Sequence, residues 1–480
     1  MNRLTITAFI AGGILLIGFL GYEVIGKQQS TSNNDSDASI ATRGTSVVVL
    51  VDFSKSFPAS YRSDGSISYG LRFEDRRALS TLASSLAELA SRYWTPPLKT
   101  IWNRIQASSI SASPLCAPLE TIQKLVKPEG SIGTREEIQA VLQNCVSTVV
   151  EASKDKNLLG DYTYISGAVA MASEVASSEY NERVLIILSD MHEELPPGTS
   201  EASFKLNGER VVILHRPGTD EPQNISGYIS RINDWKKKLT EHGAKTVVTV
   251  PVFAVSGAQL RQALKPEDTD AGTSLTVLVD FKENVFPTSQ TNSFNRNILE
   301  NIGKTLAELA RDWPLPVTAL WVAVGSSGFT SKTLPPVEFN PSLIKKEHTL
   351  NTVEEFSKAM EEMGRALPSR GRGIASTDIS GTLGLSCSID PLPKSQVLVV
   401  ISDFVDSGPQ PPASFRLSPG TRVVMIHKAS PTDRTDPNSF GARRHIWEQR
   451  FKESGASAVY QFPLLSFTPN DLRSCLGVSK

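Results

Sequence analysis

The chain of 480 residues contains itself twice. Ser46-VVVLVDF-Ser54 returns as Ser274-LTVLVDF-Lys282, and Leu86-Ala-Glu-Leu-Ala90 as Leu306-Ala-Glu-Leu-Ala310. Ile165-Ser166-Gly167 matches Ile379-Ser380-Gly381, and Val184-LIILSD-Met191 matches Val397-LVVISD-Phe404. Arg210-VVILH-Arg216 pairs with Arg422-VVMIH-Lys428, and Trp235 before Gly243 with Trp447 before Gly455. The spacing shrinks from 228 positions at Asp52/Asp280 through 214 at Thr163/Thr377 and 213 at Asp190/Asp403 to 212 at Trp235/Trp447, so order is kept and only loops change length. Repeats of this size are a duplicated domain, not a solenoid of short units.

Within each copy, apolar β-branched runs at 46–53, 184–189 and 210–215 are short, continuous and closed by polar residues. Runs of that kind are strands buried on both faces, as in a parallel sheet. Helical patterns lie between them, at Arg76–Tyr93 and at Ile225–His242, the latter stopping on Gly243. Strand–helix alternation predicts two tandem doubly wound, Rossmann-like α/β domains with mainly parallel central sheets. The expected organisation is an anchor or signal over 1–26, a flexible linker over 27–45, a domain over 46–262, a linker over 263–273 and a second domain over 274–478.

Leu4 to Tyr22 is uncharged and rich in Ile, Leu, Phe and Gly, long enough for a single transmembrane helix. A cleaved signal is the alternative, although such segments have shorter apolar regions and end at a small-x-small site. Arg3 before it and sparse charge after it favour an N-terminus inside and an extracytoplasmic bulk, periplasmic or extracellular. With 49 Lys+Arg against 50 Asp+Glu there is no basic excess for a phosphate backbone, so nucleic acid is not an expected partner. Four cysteines show no zinc spacing; an oxidising compartment would permit Cys116–Cys145 and Cys387–Cys475 bridges, and four buried thiols are the alternative.

Ligands of doubly wound sheets bind beyond the carboxyl ends of the strands. At the first of those ends stands Asp52-Phe-Ser54-Lys-Ser56; Thr163 precedes a helix, and Asp190 closes a later strand. Carboxylate and hydroxyl oxygens suit a hard, magnesium-like cation. These three segments together resemble the von Willebrand factor type A (vWA, integrin I-like) domain and its metal-ion-dependent adhesion site. The resemblance covers both repeats and implies that Asp52, Ser54, Ser56, Thr163 and Asp190 hold Mg²⁺, or Mn²⁺ or Ca²⁺, with one position left for a partner's acidic side chain. Ser189-Asp190-Met191 stands where the family often has Thr-Asp-Gly, which puts the tightness of that turn in question.

The second copy reads Asp280-Phe-Lys282-Glu-Asn284, followed by Thr377 and Asp403. A lysine beside a divalent ion adds like-charge repulsion, so a degenerate, metal-free site is expected, with Lys282 paired to Asp280 or Asp403. Gly303-Lys304-Thr305 lacks the glycine a phosphate loop needs and reads as helix surface. His215 and His427 follow equivalent strands and read as structural; Trp235 and Trp447 read as core anchors. No catalytic elbow or HExxH motif appears. The function expected is a membrane-tethered, non-enzymatic protein binding its partner through a divalent cation in the first domain. The alternatives are a metal-independent scaffold in a cell-envelope complex and a metal-assisted hydrolase.

Overall fold

A computed structural model of the chain describes residues 44–477, except 56, 58, 62–66, 95–97, 107–113, 122–132, 177–179, 219–224, 266–271, 283–284, 287–290, 342–348, 372–373, 375, 388–392, 394, 409–411, 430–432 and 434–435. The apolar stretch Leu4–Tyr22, most of the linker over 27–45 and part of the linker over 263–273 lie outside the described residues. Among the described residues, no helix is long and apolar enough to cross a membrane.

The first half forms a six-stranded sheet. Its strands are β1 (Thr45–Asp52), β4 (Leu98–Ile105), β5 (Leu119–Thr121), β6 (Glu182–Ser189), β7 (Arg210–His215) and β8 (Thr246–Pro251), in the order β5-β4-β1-β6-β7-β8. All pairings are parallel except β4 with β5. A separate antiparallel pair joins β2 (Ala59–Tyr61) to β3 (Ile67–Tyr69). The apolar run in β1 has a simple cause: alternate side chains enter opposite layers, and both layers are core. Val47, Val49 and Val51 face the layer of α1 (Phe73–Arg92), α2 (Gly133–Ala152) and α5 (Gly257–Leu264). Val48 and Leu50 face that of α3 (Ile165–Val175) and α4 (Ile225–Glu241).

The second half repeats the plan. Strands β9 (Thr273–Val279), β10 (Val317–Ala323), β12 (Val337–Phe339), β13 (Thr349–Leu350), β14 (Ser395–Ser402), β15 (Thr421–His427) and β16 (Ala456–Pro463) follow the order β13-β12-β10-β9-β14-β15-β16, with β11 (Lys332–Thr333) paired to β10. Helices α6 (Thr291–Ala310), α7 (Val353–Arg370) and α10 (Pro469–Leu476) cover one face; α8 (Ile379–Ser386) and α9 (Pro437–Glu453) cover the other. The architecture is thus mixed α/β with parallel-rich sheets. Trp235 and Trp447 are both buried.

Three sequence expectations change. Helix α1 starts at Phe73, before Arg76, because the Asp75 carboxylate accepts from the Arg72 backbone N–H at 2.9 Å and holds the first turn. Gly303 and Thr305 are buried, so only Lys304 of that triplet is helix surface. A Cβ on Gly303 would lie 2.5 Å from the Met360 carbonyl, and one on Gly364 would lie 2.6 Å from that of Leu299, so α6 and α7 cross at backbone contact. Finally, Cys116 and Cys145 are bridged, whereas Cys387 and Cys475 are free and buried. The latter pair lies in cores on opposite faces of the second sheet.

The halves meet through buried charge. Arg261 of α5 reaches Glu88 of α1 at 3.3 Å and pairs with Glu338 of β12 through its other terminal nitrogen. Glu338 also accepts from the Ala258 backbone at 2.9 Å. Apolar packing adds to this, because Leu385 and Ala413 of the second half complete the core around Ile225 and Tyr228.

The Cys116–Cys145 bridge spans 29 positions, with Cα atoms 5.6 Å apart. A loop of that length corresponds to about 3–4 kcal/mol in the chain-entropy account. Cys116→Ser with Cys145→Ser should therefore lower the urea midpoint of the first transition, and reductant should do the same to the wild type while leaving the double variant unchanged.

Candidate functional site

The central strand of each sheet ends on a carboxylate that the sheet itself buries. Asp52 closes β1 between β4 and β6 and has no solvent exposure. One carboxylate oxygen accepts from the Ser54 backbone N–H at 2.8 Å, and the other from the Ser189 hydroxyl at 2.7 Å. The Ser54 side chain bonds to the same carboxylate. Burial pushes the Asp52 carboxyl up; the bonds from Ser189 and Ser54 and the charge of Arg216 oppose that rise.

The other candidate ligands arrive on neighbouring elements. Ser54 is buried and joins Gly160 in a short parallel bridge, with the Lys55 N–H on the Gly160 carbonyl at 2.9 Å. Thr163, just before α3, is buried and held by two reciprocal 2.9 Å backbone bonds with Glu194. Asp190 follows β6; its carboxylate accepts from the His192 N–H at 2.9 Å, and its carbonyl accepts from the Arg231 guanidinium at 3.1 and 3.2 Å. Ser56 lies outside the described residues, as does Asn284 of the second copy.

The turn after Asp190 is tight without glycine. Met191 is buried with φ 58°, and Phe404, its counterpart after Asp403, is buried with φ 59°. A left-handed conformation costs a side-chain-bearing residue roughly 1–2 kcal/mol. The Ser189 and Ser402 hydroxyls offset this, each accepting from the next-but-one backbone N–H at 2.9 Å while donating to Asp52 or Asp280. Both halves therefore hold this strained turn directly after the carboxylate that closes the strand.

In the second half, Asp280 is fully buried at the same place. It accepts from the Lys282 backbone N–H at 2.9 Å, the Ser402 hydroxyl at 2.8 Å and the Thr377 hydroxyl at 3.3 Å. The Lys282 side chain turns inward. Its ammonium donates to the Val405 carbonyl at 2.6 Å and lies 3.9 Å from the Asp403 carboxylate, with the residue only 6% exposed. Burial raises both Asp280 and Asp403, and the Lys282 charge works against the rise in each. Of the two pairings expected for Lys282, the ammonium takes the one with Asp403.

Several contributors lie outside the motif. Glu193 accepts from the Ser166 N–H at 2.7 Å and its hydroxyl at 2.6 Å, fixing the start of α3 beside Thr163. Asp406 takes the same role on Ser380. Gly218 packs against Asp190: a Cβ there would lie 2.5 Å from a carboxylate oxygen. Arg231 and Arg443 brace the backbone carbonyls of Asp190 and Asp403. Ser189, Ser402 and the two arginines recur between the copies, which was the available signal; Glu193 and Asp406 differ in type and gave none.

Among the described residues, no group of three or more His, Cys, Asp and Glu side chains is placed to hold a metal. A cation in the first half would therefore depend on hydroxyls as well as on Asp52 and Asp190. That donor set fits one in kind: it is all oxygen, and a desolvated carboxylate gains most from a cation.

No protein-family model matches the chain, and no curated protein matches it. Solved structures similar to it include two crystal forms of proximal thread matrix protein 1 from the mussel byssus. One has a TM-score of 0.24 at 11% identity, covering 90% of this chain and 94% of that one. Another structure of the same protein, with a zinc-occupied MIDAS motif, has a TM-score of 0.24 at 10% identity over 90% and 95%. A TM-score this low transfers no residue role, so the site is judged by its own geometry.

The paired histidines are structural in their contacts. His215 is buried with Nδ1 2.5 Å from the Tyr228 hydroxyl, and burial lowers it to about 3. His427, whose ring partner is Phe440, has Nε2 3.1 Å from Arg444 and is lowered to about 4 by burial and that charge. Because the unfolded chain protonates histidine near pH 6.5 and the fold resists until about 3, His215 contributes stability above pH 6.5 that drains as pH falls through the window. The slope is at most about 1.4 kcal/mol per pH unit. The raised carboxylates act with the opposite sign, so the variant comparison isolates the histidine: His215→Gln should flatten the loss between pH 6.5 and 4 in urea titrations, and parallel curves would exclude the assignment.

Proposed function

We propose that the chain is a membrane-tethered, non-enzymatic binding protein of the vWA kind. In this reading the first half holds a divalent cation, Mg²⁺ or else Mn²⁺ or Ca²⁺, through Asp52, Ser54, Ser56, Thr163 and Asp190. When bound, the ion supplies positive charge and an open position for an acidic side chain of a protein partner. The observation that carries this is the contrast between equivalent strand ends. Where the first half has Ser54 bonded to Asp52, the second has an inward-turned Lys282 ammonium near Asp403. Two copies thus meet one electrostatic requirement, buried carboxylates needing a cation, in two ways.

The chain's own groups have separable roles. Asp52 and Asp190 supply two negative charges, enough to balance a dication without repelling a third carboxylate. Hydroxyls add oxygen donors without adding charge. Ser189 orients Asp52, and Arg231 with Gly218 fixes Asp190. Tethering rests on Leu4–Tyr22, and an extracytoplasmic location is supported by the Cys116–Cys145 bridge, which oxidising compartments preserve.

Two measurements test this. Partner captured from detergent extract by the full chain should be released by EDTA, and Asp52→Asn should weaken capture at least about tenfold, or 1.4 kcal/mol. Capture indifferent to both would instead support a metal-independent scaffold, the reading favoured by the closed second site. Separately, Lys282→Ser with Asn284→Ser should add a second saturable Mg²⁺ site to the full chain. If stoichiometry does not change, Lys282 is not what excludes the ion.

A further inference from the structure

Where the two halves meet they form a cavity of about 220 Å³, partly open to solvent, whose wall includes Arg216, the cation that acts on Asp52. The first half contributes Arg72, Glu74 and Arg216 to its wall; the second contributes Lys332, Arg370 and Thr382. Among the lining residues four are cationic and one, Glu74, is acidic. Asp75, behind the wall, offsets only part of this through its 2.8 Å pair with Arg216, whose guanidinium also lies 4.0 Å over the Phe57 ring. Arg72 is held down to about 10, by burial first and then by the positive charge of Arg216. Arg216 is buried and Arg72 half-buried, Lys332 and Arg370 stand at exposed positions, and an anion placed among these like charges reverses the sign of their interaction.

We propose that this cavity binds a small phosphate-class oxyanion, either inorganic phosphate or a compact phosphate monoester. Guanidinium groups present planar forks that match phosphate oxygens; Arg216 already donates to Asp75, Pro217 and Phe57, so it and Arg72 add charge while Arg370 and Lys332 are the direct donors. The Ser331 and Thr382 hydroxyls, 2.8 Å apart, add neutral polar groups on the second-half side. The volume of about 220 Å³ gives room for phosphate with a short organic group. Because both halves supply cations, the bound anion also fastens one half to the other.

The test uses the full chain in detergent solution with EDTA present, so that its outcome is independent of any cation at Asp52. Inorganic phosphate, glycerol 3-phosphate and succinate are titrated by calorimetry, with thermal unfolding followed in parallel. The expected result is saturable one-site binding of both phosphates, a rise in Tm, and affinity that falls with salt. Arg370→Gln and Lys332→Gln, both at exposed positions, should each weaken binding about tenfold while leaving the unliganded Tm unchanged. Absence of saturation below about 10 mM phosphate, a constant well weaker than the 4.1 kcal/mol of a millimolar site, would overturn the proposal. Equal affinity in the wild type and the Arg370/Lys332 double variant would also overturn it, and succinate binding as tightly as phosphate would overturn the phosphate assignment.

Discussion

A carboxylate buried at the end of the central strand is the constraint around which each half is built. Asp52 and Asp280 both have zero exposure, and an ionised group in such a place is tolerated only when hydrogen bonds and opposite charge replace water. The sheet supplies the first replacement. β6 and β14 run beside the central strands in parallel register, so that Ser189 and Ser402 stand next to the carboxylates and donate to them. The backbone two residues on supplies the second, through Ser54 and Lys282 N–H groups.

What remains is the choice of positive charge, and the halves differ there. In the second half an ammonium is built into the chain, covalently present at all times and closed over by the Val405 carbonyl. In the first half the nearest built-in cation in electrostatic terms is Arg216, which is engaged with Asp75 and the Phe57 carbonyl. One half carries its counter-ion within its own sequence; the other has the Ser54 hydroxyl at that position, where the proposed function would place a bound cation. The strained Met191 and Phe404 turns recur irrespective of this difference, so the turn geometry does not depend on which group stands at Ser54 or Lys282.

The fold was largely legible because its main signals are local and repeated. Continuous apolar runs identified strands with two buried faces, and duplication showed which residues occupied equivalent strand ends. The site was legible where side-chain type changed between copies, as at Ser54 and Lys282. Features set by distant contacts were not legible. The start of α1 depends on Asp75, itself committed to Arg216 far along the chain. Whether Cys387 and Cys475 meet depends on which face of one sheet each occupies. The glycines at the α6–α7 crossing carry no pattern visible in one chain, since each matters only because the other helix is there.

The arginine at the junction gives the duplication a direction. Arg261 belongs to the first copy, yet it satisfies Glu338 of the second as well as Glu88 of its own. Removing the second half would leave Arg261 with Glu88 of its own half, whereas removing the first would leave Glu338 buried without Arg261, so the dependence runs from the second half to the first.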